Sequence, residues 1–306
     1  CPPLAGAQGV DSYTKLMLHA DGSDQGTSFT DSEATPKTVT NTESYDSYTK
    51  LMLHMDGANG STTFTDSATS KSVTAGLTAH IDTAQSEFGG ASGSFASSDY
   101  LSLADSDDWD LGSGDFTIDG WIKLGFSGVR PIVNQVDTDW SKYAWALDII
   151  DNEIKFSYSI DGTNVITAVR GVVDTSNVWH HVAVIRNGVN VRVFFDGVQV
   201  STTYNIGTAT IYNSAALVYI GYMANTYGYV GNMDELRISK GIARWTSDFT
   251  PPSSPYGKVA TVTSQKKFGT ASGEFKGSGE YLSLADSDDW SFGNGDFTID
   301  FWVRFN

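Results

Sequence analysis

Apolar and polar residues alternate along several short stretches of the chain, as they do in a β-strand with one buried face. Phe116–Leu124 is the clearest of these stretches. Ala144–Ile150 and Ile154–Ile160 lie on either side of Asp151-Asn152, a pair of residues that tolerates the backbone of a tight turn. We therefore predict short antiparallel strands joined by hairpins.

A second hairpin is predicted where Trp179–Arg186 and Val191–Phe195 flank Asn187-Gly188. Only Lys240–Thr246 has the pattern of a helical turn. Most of the 36 acidic residues are aspartate, which favours turns, whereas glutamate favours helices. The pattern and the composition together indicate an all-β protein.

The strand pattern is repeated. Asp11–His19 returns letter for letter as Asp46–His54, and Tyr100–Trp109 returns as Tyr281–Trp290. Three prolines within Phe249–Pro255 end the longest uninterrupted unit, because proline cannot continue a strand ladder. We divide the chain into a partial repeat at 1–44, a complete unit at 45–256 and a partial second copy at 257–306.

Several short motifs occur in an order that resembles a known family. They are Leu51–Gly57, Phe64–Asp66, Phe88–Ser92, Tyr100–Leu103, Asp115–Trp121, Trp179–Ala183, Phe195–Gly197 and Met233–Ile238. The chain resembles a laminin-G-like domain of the concanavalin A-like lectin/glucanase superfamily, and most closely those of phage and other virion proteins. The resemblance implies a two-sheet antiparallel jelly-roll sandwich. It also implies binding of glycans or proteins, with Ca²⁺ in many members and a purely structural role in others.

The formal net charge of −17 mainly excludes certain classes of binding partner. A strongly acidic chain is not expected to bind nucleic acid or to dock on an anionic membrane, and no stretch is apolar enough to span a bilayer. The charge suits an extracellular or virion surface. Cys1 is the single cysteine, so no intramolecular disulfide forms; it is either a lipidated residue left by signal cleavage or an arbitrary first residue.

Aspartates form two candidate Ca²⁺ sites, because crowded carboxylate oxygens are the ligands that Ca²⁺ prefers. The resemblance brings the loop after the first strand close to the start of the last strand, so one candidate set is Asp56, Asp66 and Asp234. The other is the loop cluster Asp105, Asp107 and Asp108. Tight-turn chemistry and a solvated acidic loop are the alternative interpretations.

Aromatic residues in loops form the candidate glycan site, since sugar rings stack on aromatic faces. They are Trp140, Tyr143, Tyr222, Tyr227 and Tyr229. The alternative is that these rings cap the core or fill subunit contacts. The paired carboxylates of Glu-x-Asp-x-x-Glu, which glycosidases of this fold use, are absent, as is a Gly-x-Ser-x-Gly elbow. We therefore expect that the protein is not an enzyme.

The partial copies at the two ends suggest self-assembly. Unpaired strand edges invite pairing with another chain, so we expect a homo-oligomer in which end pieces complement one another between subunits, as a head-to-tail fibre or ring. A longer tandem array is the rival explanation. The sequence thus predicts a non-enzymatic structural component of a virion or extracellular fibre. The alternative is a Ca²⁺-dependent glycan-binding attachment module.

Overall fold

The computed structural model describes residues 14–20, 29–32, 37–125, 128–174, 176–258, 260–262, 267, 269, 271–275 and 280–304. Cys1 and the start of the first repeat lie outside these residues. Within these residues the regular structure consists of β-strands and two 3₁₀ helices, Asp107–Trp109 and Asp288–Trp290.

Short strands precede and follow the longest unit. On its N-terminal side they are β1 (Leu18–His19), β2 (Thr30–Asp31) and β3 (Val39–Thr42). The strands of the longest unit are β4 (Thr49–Leu53), β5 (Thr74–Gly76), β6 (His80–Asp82), β7 (Ser92–Phe95), β8 (Tyr100–Leu103), β9 (Phe116–Leu124), β10 (Arg130–Val136), β11 (Tyr143–Ile150), β12 (Glu153–Ser159), β13 (Val165–Val172), β14 (Trp179–Asn187), β15 (Asn190–Phe195), β16 (Val198–Gln199), β17 (Tyr204–Asn205), β18 (Val218–Ile220), β19 (Tyr222–Met223), β20 (Tyr227–Gly228) and β21 (Gly231–Lys240). The C-terminal strands are β22 (Ala260–Val262), β23 (Ser272–Glu274) and β24 (Tyr281–Leu284).

The chain forms two compact units. The central unit is Asp46–Tyr256, and the flanking unit combines Cys1–Tyr45 with Gly257–Asn306. The sequence predicted three segments with nearly the same boundaries. The structure groups the two outer segments into one unit.

The central unit is a sandwich of two antiparallel sheets, which confirms the predicted fold class. One sheet has seven strands in the order β13-β12-β11-β10-β18-β8-β5. The other has nine strands, of which seven follow the order β16-β15-β14-β9-β21-β7-β6, while β17 pairs with β15 and β4 with β21. Apolar side chains from both sheets, among them Phe116, Trp145 and Phe156, fill the space between them together with Trp109 of the first 3₁₀ helix.

The predicted hairpins are present. Asp151 and Asn152 both have positive φ, 50° and 64°, which is the backbone of a type I′ turn, and they connect β11 to β12. The hairpin between β14 and β15 turns at Gly188 and Val189, one residue later than predicted, because Asn187 still pairs with Asn190. Gly188 supplies the positive φ of 58° that this turn requires.

The helical turn predicted for Lys240–Thr246 is wrong. Strand β21 continues to Lys240, and the residues that follow lie on the outer face of the nine-stranded sheet. Their backbone donors bond to the sheet: Gly241 N donates to the Asp115 carbonyl and Arg244 N to Thr117 Oγ1. Trp245 and Phe249 stack in parallel at 4.0 Å on this face. The segment is thus held by the sheet rather than by its own helix.

Strands β9 and β21 approach each other closely at the centre of the nine-stranded sheet. A Cβ atom on Gly120 would lie 3.1 Å from Leu236 Cα and 3.3 Å from the Glu235 carbonyl oxygen. Pairing between the two strands is interrupted at this point, and Glu235 has a φ of 52°. A side chain at this position of β9 would therefore have to displace the backbone of β21 by a few tenths of an ångström.

The flanking unit repeats the pairing found at one edge of the central unit. In the central unit β5 pairs with β8, and Thr74 lies opposite Ser102. In the flanking unit β3 pairs with β24, and Thr40 lies opposite Ser283, its counterpart in the repeat. The N-terminal and C-terminal partial copies are therefore two pieces of one interrupted copy, joined within a single chain and in the same register.

Polar contacts around this edge are repeated as well. In each unit a lysine ammonium pairs with an aspartate and lies 5.2 Å from the centre of the adjoining tryptophan ring, as seen for Lys71, Asp108 and Trp109 and for Lys37, Asp289 and Trp290. In each unit an aspartate accepts the backbone N–H of the first strand, Asp66 from Met52 and Asp31 from Met17. The repeated sequence therefore encodes the same local structure twice.

A disulfide cross-link tests whether the two partial copies pair within one chain. Opposed residues of an antiparallel pair are close enough for a disulfide, so Thr40→Cys with Ser283→Cys in a Cys1→Ser background should give a cross-linked monomer on non-reducing gels. The pair Val39→Cys with Tyr281→Cys, which lies out of register, is the control and should remain reduced. A ladder of covalent oligomers would show that these strands pair between chains.

Candidate functional site

A buried hydrogen-bonded network connects β9, β21 and the end of the central unit. Arg237 of β21 donates two hydrogen bonds of 3.0 Å to Asp119 of β9, and both side chains are buried. Tyr256 donates its hydroxyl to Asp119 Oδ2 at 2.5 Å and its backbone N–H to Glu235 at 2.7 Å. His54 Nδ1 lies 2.5 Å from the other Glu235 oxygen. These groups satisfy one another, so we assign the network to structure.

Asp119 and Arg237 of this network neutralise each other. Burial by itself would raise the pKa of Asp119, but the Arg237 guanidinium and His181 outweigh it and hold that pKa well below its usual range. Asp119 is therefore ionised at all ordinary pH values. Arg237 also lies over the ring of Tyr256, 3.8 Å from its centre, which adds a cation–π contact.

An open cleft of about 330 Å³ lies on the outer face of the seven-stranded sheet. Successive residues of a strand point to opposite faces, so Leu147 and Ile149 of β11 face the core while Asp148 faces the cleft. Lys155 of β12 lies opposite Asp148 in the register and shares its face. The two charged residues thus form the floor of the cleft.

Two aromatic side chains form the rim. Trp140 comes from the loop between β10 and β11, and Tyr227 from β20; their ring centres are 6.3 Å apart and their planes meet at 77°. Both are about 40 % exposed, Trp140 at 44 % and Tyr227 at 37 %. Tyr143 and Met223 lie deeper in the cleft and are buried. The rim therefore offers two aromatic surfaces at nearly a right angle.

The rim loop is held in one conformation by its own hydrogen bonds. Trp140 N donates to the Asp137 carbonyl, Asp137 N to the Lys142 carbonyl, and Ser141 Oγ to the Asp137 carboxylate. Trp140 itself has a φ of 63°, which is unfavourable for a bulky residue and is often found at functional positions. The loop thus presents the indole in a preorganised position.

Asp148 is the most unusual polar residue of the cleft. Its side chain is 1 % exposed, and its Oδ1 atom accepts no hydrogen bond from any described residue. The nearest cation, Lys155 Nζ, is 3.7 Å away, beyond hydrogen-bond distance. Burial raises the pKa of Asp148 to about 6, although Lys155 opposes the shift. A buried carboxylate that keeps unused acceptor capacity is typical of a binding site.

The structure brings together three of the five aromatic residues predicted from the sequence, namely Trp140, Tyr143 and Tyr227. Tyr222 does not line the cleft and instead stacks on Tyr100 at 5.8 Å. Tyr229 was wrongly included. It is completely buried, and its hydroxyl lies 3.0 Å from the carbonyl oxygens of both Lys123 and Asn232, so it belongs to the core.

Sequence reasoning missed Asp148 and Lys155. The signal was present, because Asp148 is a single charged residue inside the otherwise apolar run from Ala144 to Ile150. Asp148 and Lys155 lie side by side because of the register between β11 and β12, which the local sequence does not reveal.

The first candidate Ca²⁺ set is only partly brought together. Asp66 accepts four hydrogen bonds, from the backbone N–H groups of residues 52, 68 and 71 and from a threonine hydroxyl. Asp234 accepts the N–H groups of Glu87 and Phe88 on one oxygen, while its other oxygen is buried without a hydrogen bond. Burial raises the pKa of Asp234 well above its usual range, and Glu235 and Asp56 add to the shift. Asp56 is therefore a neighbour of Asp234, whereas Asp66 has its oxygens occupied.

Side chains of the second candidate set already pair with other residues of the protein. Asp108 pairs with Lys71 at 2.6 Å, Asp105 accepts a hydrogen bond from Gln135, and Asp107 begins a 3₁₀ helix. Over the described ranges, no group of three or more His, Cys, Asp or Glu side chains is arranged to hold a metal ion. A Ca²⁺ site stays a prediction for both sets.

A family model of the concanavalin A-like lectin/glucanases superfamily, the one for laminin-G domains, matches residues 95–244. These residues carry most strands of the central sandwich. The central unit is a laminin-G-like domain.

One solved structure agrees with this assignment at the level of the fold. The laminin-G-like domain is similar to the binding domain of Paraclostridial Mosquitocidal Protein 1, with a TM-score of 0.51 at 12 % identity over 64 % of this chain and 49 % of that one. The binding domain of botulinum neurotoxin DC also matches. Its complex with SialylT matches with a TM-score of 0.48 at 13 % identity, over 64 % of this chain and 49 % of that one. Its complex with rat synaptotagmin II matches with a TM-score of 0.47 at 14 % identity, over 65 % of this chain and 50 % of that one.

The chain spans about half the length of these solved structures. No curated protein sequence matches it. Among the described residues, no helix is long and apolar enough to cross a membrane.

The raised pKa of Asp148 gives a testable effect on stability. The folded protein holds this proton more tightly than the unfolded chain, so folding stability falls as pH rises from about 4, near the pKa in the unfolded chain, to about 6, and is constant above that. Asp148→Asn should therefore stabilise the protein over the native form by an amount that grows from pH 4 to pH 6 and levels off at about 3 kcal/mol, as measured by urea unfolding.

Asp139→Asn is the matched control for this measurement. Asp139 is an exposed residue of the rim loop, and hydrogen bonds from Ser141 lower its pKa, so its replacement should not stabilise the fold as pH rises. A gain for Asp148→Asn that is the same at every pH would show that Asp148 ionises normally.

Proposed function

We propose that the laminin-G-like domain is a non-catalytic carbohydrate-binding module that acts in attachment outside the cell, and that the cleft of the seven-stranded sheet is its binding site. The observation that carries the proposal is the buried carboxylate of Asp148, whose Oδ1 atom accepts no hydrogen bond from the described residues, beneath two exposed aromatic rings. A sugar combines an apolar C–H face with hydroxyl groups, so it matches both elements. Ligand sites generally combine apolar walls with a few placed polar groups in this way.

The shape of the cleft supports a small polar ligand over a protein surface. Its volume of about 330 Å³ lies at the lower end of the range for small-molecule sites. The walls, Val129, Ile150 and Val165 among them, are apolar, whereas the floor is charged. A single sugar residue or a disaccharide end would fit this combination.

Alanine substitution at the rim tests the proposal. Trp140→Ala and Tyr227→Ala should each weaken binding to glycans that the native protein recognises on an array by roughly tenfold or more, because each removes one stacking surface at the centre of the contact. Tyr48→Ala, at a tyrosine that is 44 % exposed but lies outside the cleft, should bind as the native protein does. An array on which the native protein binds nothing would refute a carbohydrate-binding function.

Self-assembly is the second candidate function, and one observation in the flanking unit favours it. Phe297, Ile299 and Trp302 are more than 60 % exposed. In the repeat they correspond to Phe116, Ile118 and Trp121 of β9, which lies between β14 and β21 in the central unit. An apolar strand segment of this kind is suited to pairing with a strand of a second copy of the chain.

A charge in this segment tests the second function. Ile299→Lys should shift a concentration-dependent oligomer toward monomer in sedimentation velocity, because lysine blocks burial of the strand face. Val172→Lys, which replaces a valine that is 74 % exposed on β13, should leave the distribution unchanged. A native protein that is monomeric at all concentrations would exclude assembly through this segment.

A further inference from the structure

The floor of the cleft holds one negative and one positive charge. Among the residues that line it, Asp148 and Lys155 are the only ones with charged side chains. Lys155 is itself only 23 % exposed, so both charges are largely removed from water. Although the whole chain carries −17, the cleft is nearly neutral overall.

The two charges do not saturate each other. Their separation of 3.7 Å is too long for a direct hydrogen bond, so the carboxylate can still accept hydrogen bonds and the ammonium can still donate them. Arg170, which lies opposite Lys155 on β13, is paired with Glu153. The rim loop carries the other charged residues of this region, namely Asp137, Asp139 and Lys142. Tyr143, buried beside Asp148, stays neutral, since burial and the Asp148 charge both raise its pKa.

We propose that the cleft selects an uncharged sugar and binds it through hydroxyl groups placed between Asp148 and Lys155, while rejecting acidic and amino sugars. This rests on the proposed carbohydrate-binding function and names its ligand class. A hydroxyl group donates one hydrogen bond and accepts others, so one sugar satisfies the carboxylate and the ammonium together. Trp140 and Tyr227 then cover the apolar face of the ring.

Charged sugars are disfavoured by the same arrangement. A carboxylate on the ligand would be brought close to Asp148, and two like charges repel strongly in a site shielded from water. An ammonium group on the ligand would be repelled by Lys155 in the same way. Each resident charge that would attract an ionic group on the ligand lies 3.7 Å from one that repels it, so the two contributions largely cancel. The cost of removing the ligand's own charge from water is then left without compensation.

An array of defined oligosaccharides, divided into neutral, acidic and amino-sugar members, tests the proposal at pH 7.5. We expect the strongest binding among neutral members, and at least tenfold weaker binding, by calorimetry, of the uronic-acid and amino-sugar counterparts of the best neutral one. If the strongest binding falls in the acidic or the amino class, the selectivity proposal is wrong while the carbohydrate function stands. If no class binds, both are wrong.

Variants and pH separate direct recognition from structural effects. Asp148→Asn should weaken the neutral sugar about tenfold and reduce the discrimination against the acidic counterpart, and Lys155→Gln should reduce the discrimination against the amino sugar. Native binding should weaken several-fold from pH 7.5 to pH 5 as Asp148 is protonated, whereas Asp148→Asn should show no such change. An identical pH dependence in the native protein and in Asp148→Asn would overturn the role assigned to Asp148.

Discussion

The ion pair between Asp119 and Arg237 is the interaction on which the rest of the central unit depends. It joins the two strands at the centre of the nine-stranded sheet, at the place where their pairing is interrupted. Removing two charges from water is costly, and only good geometry with additional hydrogen bonds offsets that cost. Tyr256 and His181 complete the partners of Asp119, so the pair is stable only when the end of the domain is in place.

The same pair anchors the segment that covers one face of the sandwich. The segment that ends at Tyr256 covers the outer face of the nine-stranded sheet with Trp245 and Phe249. On the outer face of the seven-stranded sheet, the described residues of the central unit leave a cleft beside the rim loop and β20. One sheet is therefore committed to closing the domain and the other is available for a ligand.

The sequence was sufficient to predict the architecture but not the composition of the site. Alternation along Phe116–Leu124 and the turn at Asp151-Asn152 are local properties, and both predictions are confirmed. Tyr229 looked like a loop aromatic because glycines surround it, and only the packing between the sheets shows that it is buried. Asp148 was missed for the opposite reason, since its importance comes from the neighbour that the register places beside it.

The pairing of the two partial copies also depends on long-range structure. The repeat identified the segments, but β3 and β24 are more than two hundred residues apart, and nothing in their local pattern says that they meet in one chain. The sequence favoured pairing between subunits because isolated edges are hazardous. In the structure, β3 and β24 pair within the chain in the register that β8 and β5 use, so these two edges are paired without a second subunit. The segment around Ile299 remains exposed.

The close approach of β9 and β21 at Gly120 has a consequence for a chain that contains its own near-copy. Asp296–Asp300 repeats Asp115–Asp119 residue for residue, but the next residue is Phe301 where the central unit has Gly120. A Cβ atom at this position would lie 3.1 Å from Leu236 Cα, so a phenylalanine there would have to push β21 aside. Phe301 therefore makes the duplicated segment a poorer fit than β9 at this place in the sheet, which opposes an exchange of the two segments during folding.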